Sequence, residues 1–484
     1  MKDPQDRVIQ MHTAAQSQLL KFSAGKSFKS VNIRNLKKLL LLTFPLILTG
    51  CLQSTRDIGN ISENITAIIS EAKVTEPSQE QIELHDQSDF SKAIQEAVLN
   101  NKSYNSALAF ERSMQSKIEV AESMQRIQIN GSSTIGGIRE DGGNTADQTT
   151  TGMAANITLS QLIYDGGQSA SNISRATAEA FGASAERRSI GNDIALEAGR
   201  AWINYWQYQT RLFALQERTS EMNNIVSQME RMASNGMIDR AALDSARRQI
   251  LDIYLEEMVY KSELEQAQIN FIRFFNYDLK SVSQPSKIDG LVEALGQSDN
   301  WRRSPSLQKT AAEVVVATNV VQSAQAAFEP RAKVQGGLTS PMKNGESTDT
   351  SLGVVLEYTF GDGGKRAAQL KEAKAGLEAA KSRLQDVLTG LDAELKSAMN
   401  KLNALKKSMP LIQEKILLSK DEAKTARSQL TTGQADLRKL IDAKLENYRA
   451  EDRLISMQAE KLTLELLIAA KSGALSELIG LENS

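Results

Sequence analysis

The sequence has few of the residues that build metal sites, disulfides and Cys-His catalytic pairs. Its 484 residues include one cysteine, Cys51, and two histidines, His12 and His85. These are too few for a structural zinc site or a disulfide framework. Prolines number eight and aromatic residues make up 5%, which is typical of long helices rather than of a compact enzyme with many loops. The net charge of −2 gives no electrostatic reason to expect nucleic acid.

Long apolar runs are also missing after Cys51, where no stretch approaches the roughly 18 residues of a membrane-spanning helix. A shorter apolar run, 39–48, follows the basic residues Arg34, Lys37 and Lys38 and ends in Leu-Thr-Gly-Cys. A basic region, an apolar run and small residues before a cut are typical of a secretory signal. The last four residues also match the lipobox of bacterial lipoproteins, whose cysteine carries a lipid. A short buried helix with a free thiol is the alternative.

We therefore predict residues 31–50 as a lipoprotein signal peptide, Cys51 as the lipidation site and residues 51–87 as a polar, lipid-anchored tether. Residues 1–30 lie upstream of the basic region, where a signal peptide should begin. We interpret them as a non-native or misassigned N-terminal extension, with the true start at Val31.

A strand that turns directly into a long helix occurs twice in the chain. The first copy ends in Asp165-Gly166-Gly167 and the second in Asp362-Gly363-Gly364, a shift of 362 − 165 = 197 residues. The same shift superimposes Gly236 on Gly433, Asp239 on Asp436, Leu243 on Leu440, Ala246 on Ala443 and Asn276 on Gly473. One register over so long a stretch indicates an internal duplication.

Each repeat is predicted to contain a helix, a β-hairpin, a very long helix and a shorter helix. Repeat 1 (88–275) has its hairpin at 126–165 and its later helices at 167–235 and 240–275; repeat 2 (305–481) has its hairpin at 332–361 and its later helices at 364–431 and 436–473. Residues 276–304 form the predicted linker. At about 1.5 Å per residue, each long helix should span roughly 100 Å.

The predicted strands alternate apolar and polar residues with a period of two. Ile127, Ile129 and Ile135 share one face of the first strand, and Leu356 lies on the apolar face of the last strand, next to the polar-face residue Glu357. Such strands of about ten residues suit a tilted crossing of a bilayer, with lipid outside and water inside. A half-buried hairpin in a soluble domain is the alternative.

The second long helix carries a coiled-coil seam. Its seam residues are spaced by seven: Leu370, Leu377, Leu384, Leu391, Ala398 and Leu405. A sevenfold apolar repeat is typical of helices packed along their length. Arg187 interrupts the matching seam of the first long helix, and Pro410 is expected to bend the second.

Four amphipathic strands are too few to close a membrane barrel, for which about eight strands are the minimum. An open sheet would leave unpaired edges, which lipid does not tolerate. Copies of the chain must therefore combine, two giving eight strands and three giving twelve. The long helices should then pack as a tube of coiled coils that continues the barrel.

The chain resembles the outer-membrane efflux protein family, the TolC-like channels. Three features carry the resemblance: the two strand–Asp-Gly-Gly–helix junctions, the Gly-x-x-Asp-x-x-x-Leu turns at Gly236 and Gly433, and the duplicated layout. The resemblance covers residues from about 88 to 481. It implies a mostly α-helical fold with membrane β-strands, in which a homotrimer forms a β-barrel of twelve strands in the outer membrane, continued by a periplasmic α-helical coiled-coil barrel. It also implies docking to an inner-membrane transporter, ABC-type or proton-driven, through a periplasmic adaptor. Lipidation of the N-terminus occurs in part of the family.

The resemblance also implies a gate at the periplasmic tip. In the family an acidic pair beyond the second turn glycine narrows the aperture. Asp442 matches one member of this pair, but the other position is Lys439, which departs from the pattern. Asp442 and Lys439 are therefore the gate candidates, and such a mixture could form salt bridges between subunits instead of an anionic ring. The alternative for Asp442 is an ordinary solvated helix residue.

No arrangement of residues in the sequence supports catalysis. Asp-Gly-Gly lacks the Gly-Lys-Ser/Thr of a phosphate loop, and no cofactor is expected besides the lipid on Cys51. We predict a passive conduit from the periplasm to the exterior that serves type I protein secretion or multidrug efflux. A lipid-anchored periplasmic coiled-coil scaffold or adaptor without a pore is the alternative. It accounts for the lipobox and the helices, but not for the two hairpins.

Overall fold

The computed structural model describes residues 89–140, 148–277, 279, 281–285, 288, 303–341, 347–431 and 437–478. Repeat 1 consists of α1 (Asp89–Asn100), α2 (Lys102–Ser123), β1 (Gln128–Glu140), β2 (Gln148–Tyr164), α3 (Gln168–Ser234) and α4 (Arg240–Phe275). Repeat 2 consists of α5 (Pro305–Ala326), β3 (Arg331–Ser340), β4 (Asp349–Glu357), α6 (Lys365–Thr431), α7 (Leu437–Ser472) and the short α8 (Ala474–Leu478). The predicted fold class, mostly helical with two strand hairpins, is confirmed. The predicted signal peptide, Cys51, the tether and Gly433 lie outside the described residues.

The two repeats agree in backbone conformation as well as in sequence. Residues that the shift of 197 superimposes share a left-handed conformation, which glycine adopts without strain. The φ values pair as Gly166 66° with Gly363 64°, Gly167 89° with Gly364 88°, and Asn276 60° with Gly473 86°. Because the last pair terminates α4 and α7, the duplication extends from the strand–helix junction to the end of the shorter helix.

The four strands form one antiparallel sheet in the order β1-β2-β3-β4. The register places apolar residues opposite one another in each pairing: Ile129 and Leu159, Ile157 and Leu338, Val334 and Val354. Since side chains alternate between the two sides of a strand, the same register aligns the polar residues on the opposite face. The sheet therefore has one apolar face and one polar face.

The first hairpin has longer strands than the sequence suggested. The Gly, Asp and Thr content of residues 136–152 predicts a loop from Gly136 to about Gly152, but these two glycines pair with each other. β1 continues to Glu140 and β2 begins at Gln148. The β-branched threonines at 149–151 fit a pleated ladder, so a composition rich in polar and small residues did not end the strand.

The long helices α3 and α6 each contain 67 residues, which corresponds to about 100 Å. Nearest the sheet, α3 packs against α2 at Met114 and against α5 at Ala312. Farther along, it packs against α4 and α7, where Met222 and Leu440 share one core. The other long helix, α6, contacts α5 and α7 and continues through Pro410. None of the described helices is long and apolar enough to cross a membrane.

An aromatic core lies near the midpoint of α3. The ring of Trp202 lies 5.4 Å from that of Phe90 in α1, and 5.6 and 5.7 Å from those of Phe271 and Phe275 in α4. The indole Nε1 of Trp202 donates to the carbonyl of Ser283 at 2.9 Å, so the predicted linker packs onto this core where it is described. Its buried apolar residues are Leu279, Val282 and Ile288.

The packing of α2 on α3 explains why Arg187 interrupts the seam of α3. Its Nε donates to Glu111 at 2.6 Å, its Nη1 donates to the hydroxyl of Tyr104 at 2.5 Å, and the guanidinium lies 5.6 Å from the Tyr104 ring centroid. Burial disfavours the positive charge, but the hydrogen bonds to Glu111 and Tyr104 and the negative charge of Glu111 outweigh it and raise the pKa of Arg187. The residue that matches Arg187 in repeat 2 is Leu384, which continues an apolar seam.

Candidate functional site

The sheet leaves both of its faces uncovered within one chain. On the apolar face, Leu352, Val354 and Leu356 are 82, 69 and 70% exposed. The polar face carries an ion pair between Lys333 and Glu357, at 2.8 Å. Burial of an apolar wall is the main source of sheet stability, so this face needs an apolar surrounding that the described part of the chain does not supply.

The strand–helix junctions are built on two matched aspartates. Asp165 accepts hydrogen bonds from the backbone N–H of Gly167 (3.1 Å) and Ser169 (2.7 Å), and also from the Ser169 hydroxyl. Asp362 accepts from the backbone N–H of Gly364 and of Arg366, both at 3.0 Å. Each carboxylate therefore satisfies N–H groups at the start of a long helix, where the helix dipole also favours negative charge. The sequence predicted that these aspartates lie at the junctions, but it did not predict the hydrogen bonds that they make.

The second junction contains an additional connection through Arg366. Its Nε donates to Asp362 at 2.7 Å, its Nη2 to the carbonyl of Thr359 at 2.7 Å and its Nη1 to the carbonyl of Ala327 at 3.2 Å. The hydrogen bonds from the Arg366 backbone and side chain hold the pKa of Asp362 below its ordinary value. One side chain thus joins the start of α6 to the chain that leaves β4 and to the end of α5. The matching residue of repeat 1 is Ser169.

The first junction is more tightly packed at its glycine than the second. A Cβ on Gly166 would lie 2.5 Å from the Cβ of Glu329, whereas no described residue beyond the chain neighbours of Gly363 lies within 4 Å of a Cβ built there. Both glycines have positive φ, so both turns favour glycine. Only Gly166 is also constrained by a close approach of another segment.

The tip of repeat 1 is a glycine turn between α3 and α4. Gly236 is exposed there with φ 69°. In repeat 2, Lys439 and Asp442 lie in the first turns of α7 and are both exposed, while Leu440 beside them is buried in the core. Neither Lys439 nor Asp442 makes an ion pair with another described residue. The two gate candidates therefore point away from the core of their own chain.

A partly buried polar network lies above the tip, between α3 and α7. Arg211 makes two hydrogen bonds to the carboxylate of Asp452, at 2.7 and 2.8 Å, and a third to the hydroxyl of Tyr260 at 2.6 Å. Seven residues closer to the tip on α3, Arg218 donates hydrogen bonds to Glu451 and to Asn447.

A third connection across the same helices completes the network. Lys444 donates to Glu221 at 2.6 Å. None of these contacts was predicted from the sequence, although Arg211 and Arg218 are seven residues apart on α3 and Lys444 and Glu451 are seven apart on α7. Complementary charges at heptad spacing on two long helices were the available signal.

The network raises the pKa of two of its members, Arg211 and Tyr260. Burial disfavours the charge of Arg211, but the hydrogen bonds and negative charge of Asp452 outweigh this and raise the pKa of Arg211. Burial and the hydrogen bond to Glu256 raise the pKa of Tyr260. The phenol therefore stays protonated and donates between Glu256 and Asp452, at 2.8 and 3.0 Å. Three helices, α3, α4 and α7, are joined at this level.

A groove of about 1070 Å³ runs between the helices below the sheet. Its floor consists of small residues that include Ala178, Gly182 and Ala373, and its rim carries charges of both signs. Gln168, which lines the groove, accepts a hydrogen bond from Arg331 at the start of β3. Within the described ranges, no group of three or more His, Cys, Asp or Glu side chains is arranged to hold a metal ion.

Comparison with known proteins identifies the family. The profile of a family described as outer membrane efflux protein matches residues 93–275 and 298–474, which cover both repeats. The chain belongs to the outer membrane efflux protein family. This confirms the resemblance inferred from the Asp-Gly-Gly junctions, and it favours a channel over a scaffold without a pore.

Similar proteins and structures agree with this assignment. The chain is 23% identical over 334 residues to the outer membrane efflux protein BepC of Brucella suis biovar 1 (strain 1330), an alignment that covers 66% of this chain and 70% of BepC. It matches a crystal structure of CusC with a TM-score of 0.70 at 15% identity, covering 83% of this chain and 98% of that one. VceC of Vibrio cholerae matches with a TM-score of 0.69 at 13% identity, over 80% and 96% of the two chains. At these identities the structural matches show a shared fold.

Membership of this family makes the protein an outer-membrane efflux channel and not an enzyme. The helical part then extends from the sheet into the periplasm.

Proposed function

We propose that three copies of this chain close into one outer-membrane channel that passes cargo passively from the periplasm to the exterior. The observation that carries the proposal is the sheet with an uncovered apolar face and a polar face opposite. Lipid would cover the apolar face and water would fill the side lined by the polar face. A barrel of eight strands has an interior filled by side chains, so a conducting barrel favours three copies over two.

The order of the helices supports closure of the ring edge to edge. Below the sheet the contacting helices follow the order α2-α3-α5-α6, and toward the tip the order is α4-α3-α7-α6. One edge of the chain is therefore β1, α2 and α4, and the other is β4 and α6. Joining unlike edges is a heterologous contact, which generates a ring when the rotation closes.

Exposed apolar stripes lie on both of these edges. On α4, Leu251, Leu255 and Met258 are 59, 66 and 60% exposed, and on α6, Leu411 and Leu418 are 65 and 64% exposed. Both stripes lie roughly 15–30 Å from the helix ends at the tip, at about 1.5 Å per residue. They would therefore meet at one level when α4 of one copy packs against α6 of the next.

Cysteine pairs across this seam test the proposal. The double variant Leu255→Cys/Leu418→Cys should give covalent trimers under oxidation in outer membranes, whereas either single variant should not. The purified wild-type protein should have the mass of three chains in detergent and should conduct in planar bilayers. A monomer in native membranes, without conductance, would contradict the channel.

The N-terminal anchor is a second part of the proposal. A lipid on Cys51, supported by the Leu-Thr-Gly-Cys sequence, would hold the chain to the membrane independently of the barrel. Metabolic labelling with palmitate should mark the wild type and not Cys51→Ser. Labelling that survives this substitution would remove the lipoprotein assignment, while the trimer would stand.

The proposal of an outer-membrane channel extends to its partners and its cargo. An inner-membrane transporter would supply energy and a periplasmic adaptor would join it to the helical tip, where Lys439 and Asp442 would form the gate. The name of BepC, an efflux protein, supports small-molecule efflux over type I protein secretion. Deleting the gene should raise drug sensitivity and leave the export of a surface adhesin intact; the opposite result would assign the channel to secretion.

A further inference from the structure

On the polar sheet face, three charged residues lie at the helical end, and the acidic residues Asp349 and Glu140 lie at the loop end. Most of this face is neutral, with side chains such as Asn130, Asn156, Thr158, Gln335 and Ser351. At the border with the helices, the register brings Arg331, Lys333 and Glu357 onto the same face. At the loop end, Asp349 pairs in register with Thr339.

These three border residues carry an excess of positive charge. Lys333 is neutralised by Glu357, at 2.8 Å. Arg331 stands opposite Glu357 in the register but donates to the neutral side chain of Gln168. Arg331 is exposed and makes no ion pair with another described residue. The group therefore contributes one net positive charge per chain.

The other charges near this border are balanced. Asp362 pairs with Arg366 at 2.7 Å. Asp165 is buried and bonded to backbone N–H groups at the start of α3, where the positive end of the helix dipole offsets it. Glu329 and Lys365, both exposed, carry one charge of each sign.

The groove below the border is neutral as well. Lys309 pairs with Glu186, and Arg383 pairs with Glu313 at 3.4 Å. Gln168 lines the groove and also accepts from Arg331, so the polar face of the sheet and the groove share one continuous surface. Between the groove and the middle of the sheet, the net positive charge thus lies at the border where the strands meet the helices.

We propose that Arg331 and Lys333, with Glu357, form a cationic collar at the inner end of the barrel, which attracts anionic groups such as carboxylates, phosphates and sulfonates on passing solutes. The collar rests on the proposed trimeric channel, in which it would contain six cationic and three anionic side chains. A water-filled passage with low-dielectric walls focuses the field of such a ring and raises the local concentration of counter-ions. At its own level of the barrel, the collar therefore favours anionic over cationic solutes.

Thiol reactivity inside the barrel tests the collar whether or not the tip is open, because reagents enter from the outer end. Gln335→Cys places a thiol on the polar face, and Val354→Cys places one on the apolar face. In proteoliposomes at low salt, we would measure the reaction rates with a methanethiosulfonate bearing a sulfonate and with one bearing a trimethylammonium group. The wild-type chain, with Cys51 alone, gives the background.

The expected result is that Gln335→Cys reacts faster with the anionic reagent than with the cationic one, relative to a free thiol. Adding Arg331→Gln, roughly 13 Å away along the strand, should lower this rate ratio about threefold by Coulomb's law in water. Adding Lys333→Gln, which is closer and leaves Glu357 unpaired, should lower it about eightfold. In 1 M salt, where the Debye length is about 3 Å, both effects should vanish.

Arg383→Gln is the matched control, since it removes one positive charge from the groove and should leave the ratio unchanged. The collar would be wrong, and the channel still supported, if neither Arg331→Gln nor Lys333→Gln changed the rate ratio. This conclusion requires that Gln335→Cys reacts and that lipid protects Val354→Cys. Equal reactivity of Gln335→Cys and Val354→Cys would overturn the barrel itself, and the collar with it.

Discussion

Arg211 and Asp452, 241 residues apart in the chain, form a two-pronged ion pair between α3 and α7 with N–O distances of 2.7 and 2.8 Å. Their side chains are only 16 and 17% exposed. The pair joins the long helix of repeat 1 to the returning helix of repeat 2. It therefore connects the two repeats above the tip, where the proposed gate residues Lys439 and Asp442 lie on the same α7.

Removing the carboxylate of this pair should destabilise the protein. Asp452→Asn leaves the half-buried Arg211 without its counter-charge, and loss of a charged hydrogen bond costs roughly 1.5–3 kcal/mol. The measurement is the unfolding midpoint of the purified protein. Asp392→Asn is the control, because the exposed pair Asp392–Lys396 on α6 should contribute under about 1 kcal/mol. If the two substitutions lowered the unfolding midpoint equally, the Arg211–Asp452 pair would contribute no more to stability than an exposed ion pair.

The two junction glycines should respond differently to alanine. Gly363→Ala forces a side chain into a left-handed conformation, which costs roughly 1–2 kcal/mol. Gly166→Ala should cost more, because its Cβ would also meet the Cβ of Glu329 at 2.5 Å. The measurement is the thermal unfolding of the two variants. An equal loss of stability in both would mean that the chain near Glu329 moves aside at no cost.

The second junction should lose stability in acid. The Arg366 hydrogen bonds lower the pKa of Asp362 in the folded protein, so the ionised carboxylate stabilises the fold at pH values above the unfolded pKa of about 3.9. This contribution is lost as the pH falls through the folded pKa. Asp362→Asn should therefore be less stable than wild type at neutral pH, and the difference should narrow in acid. A difference independent of pH would assign the effect to something other than ionisation.

The proposed gate should respond to loss of its acidic residue. Asp442 is exposed near the start of α7, and in a threefold ring it would contribute three negative charges to the aperture. Asp442→Ala should raise single-channel conductance or weaken block by a multivalent cation. Asp392→Ala, which removes an exposed carboxylate from α6, is the control. If Asp442→Ala behaves like this control in both measurements, Asp442 is an ordinary surface residue.

Much of the fold was predictable because its signals are local. Alternation with a period of two marked the strands, and the sevenfold spacing of Leu370 to Leu405 marked α6. Asp-Gly-Gly marked the strand–helix junctions because left-handed turns favour glycine and helix starts favour a carboxylate acceptor. The predicted loop of the first hairpin was too long, because Gly136 and Gly152 are paired within the β1–β2 ladder.

The sequence by itself determined the duplicated strand–helix plan, its amphipathic strands and its long helices, because periodicity and turn chemistry act between near neighbours. Only the tertiary structure decided which distant charges meet: Arg187 with Glu111, Arg211 with Asp452, and Lys333 with Glu357. Such partners depend on which helix or strand faces which, and at what level. That arrangement results from the packing of the whole chain, so the local pattern around a charged residue can place it on a packed helix face but does not identify its partner.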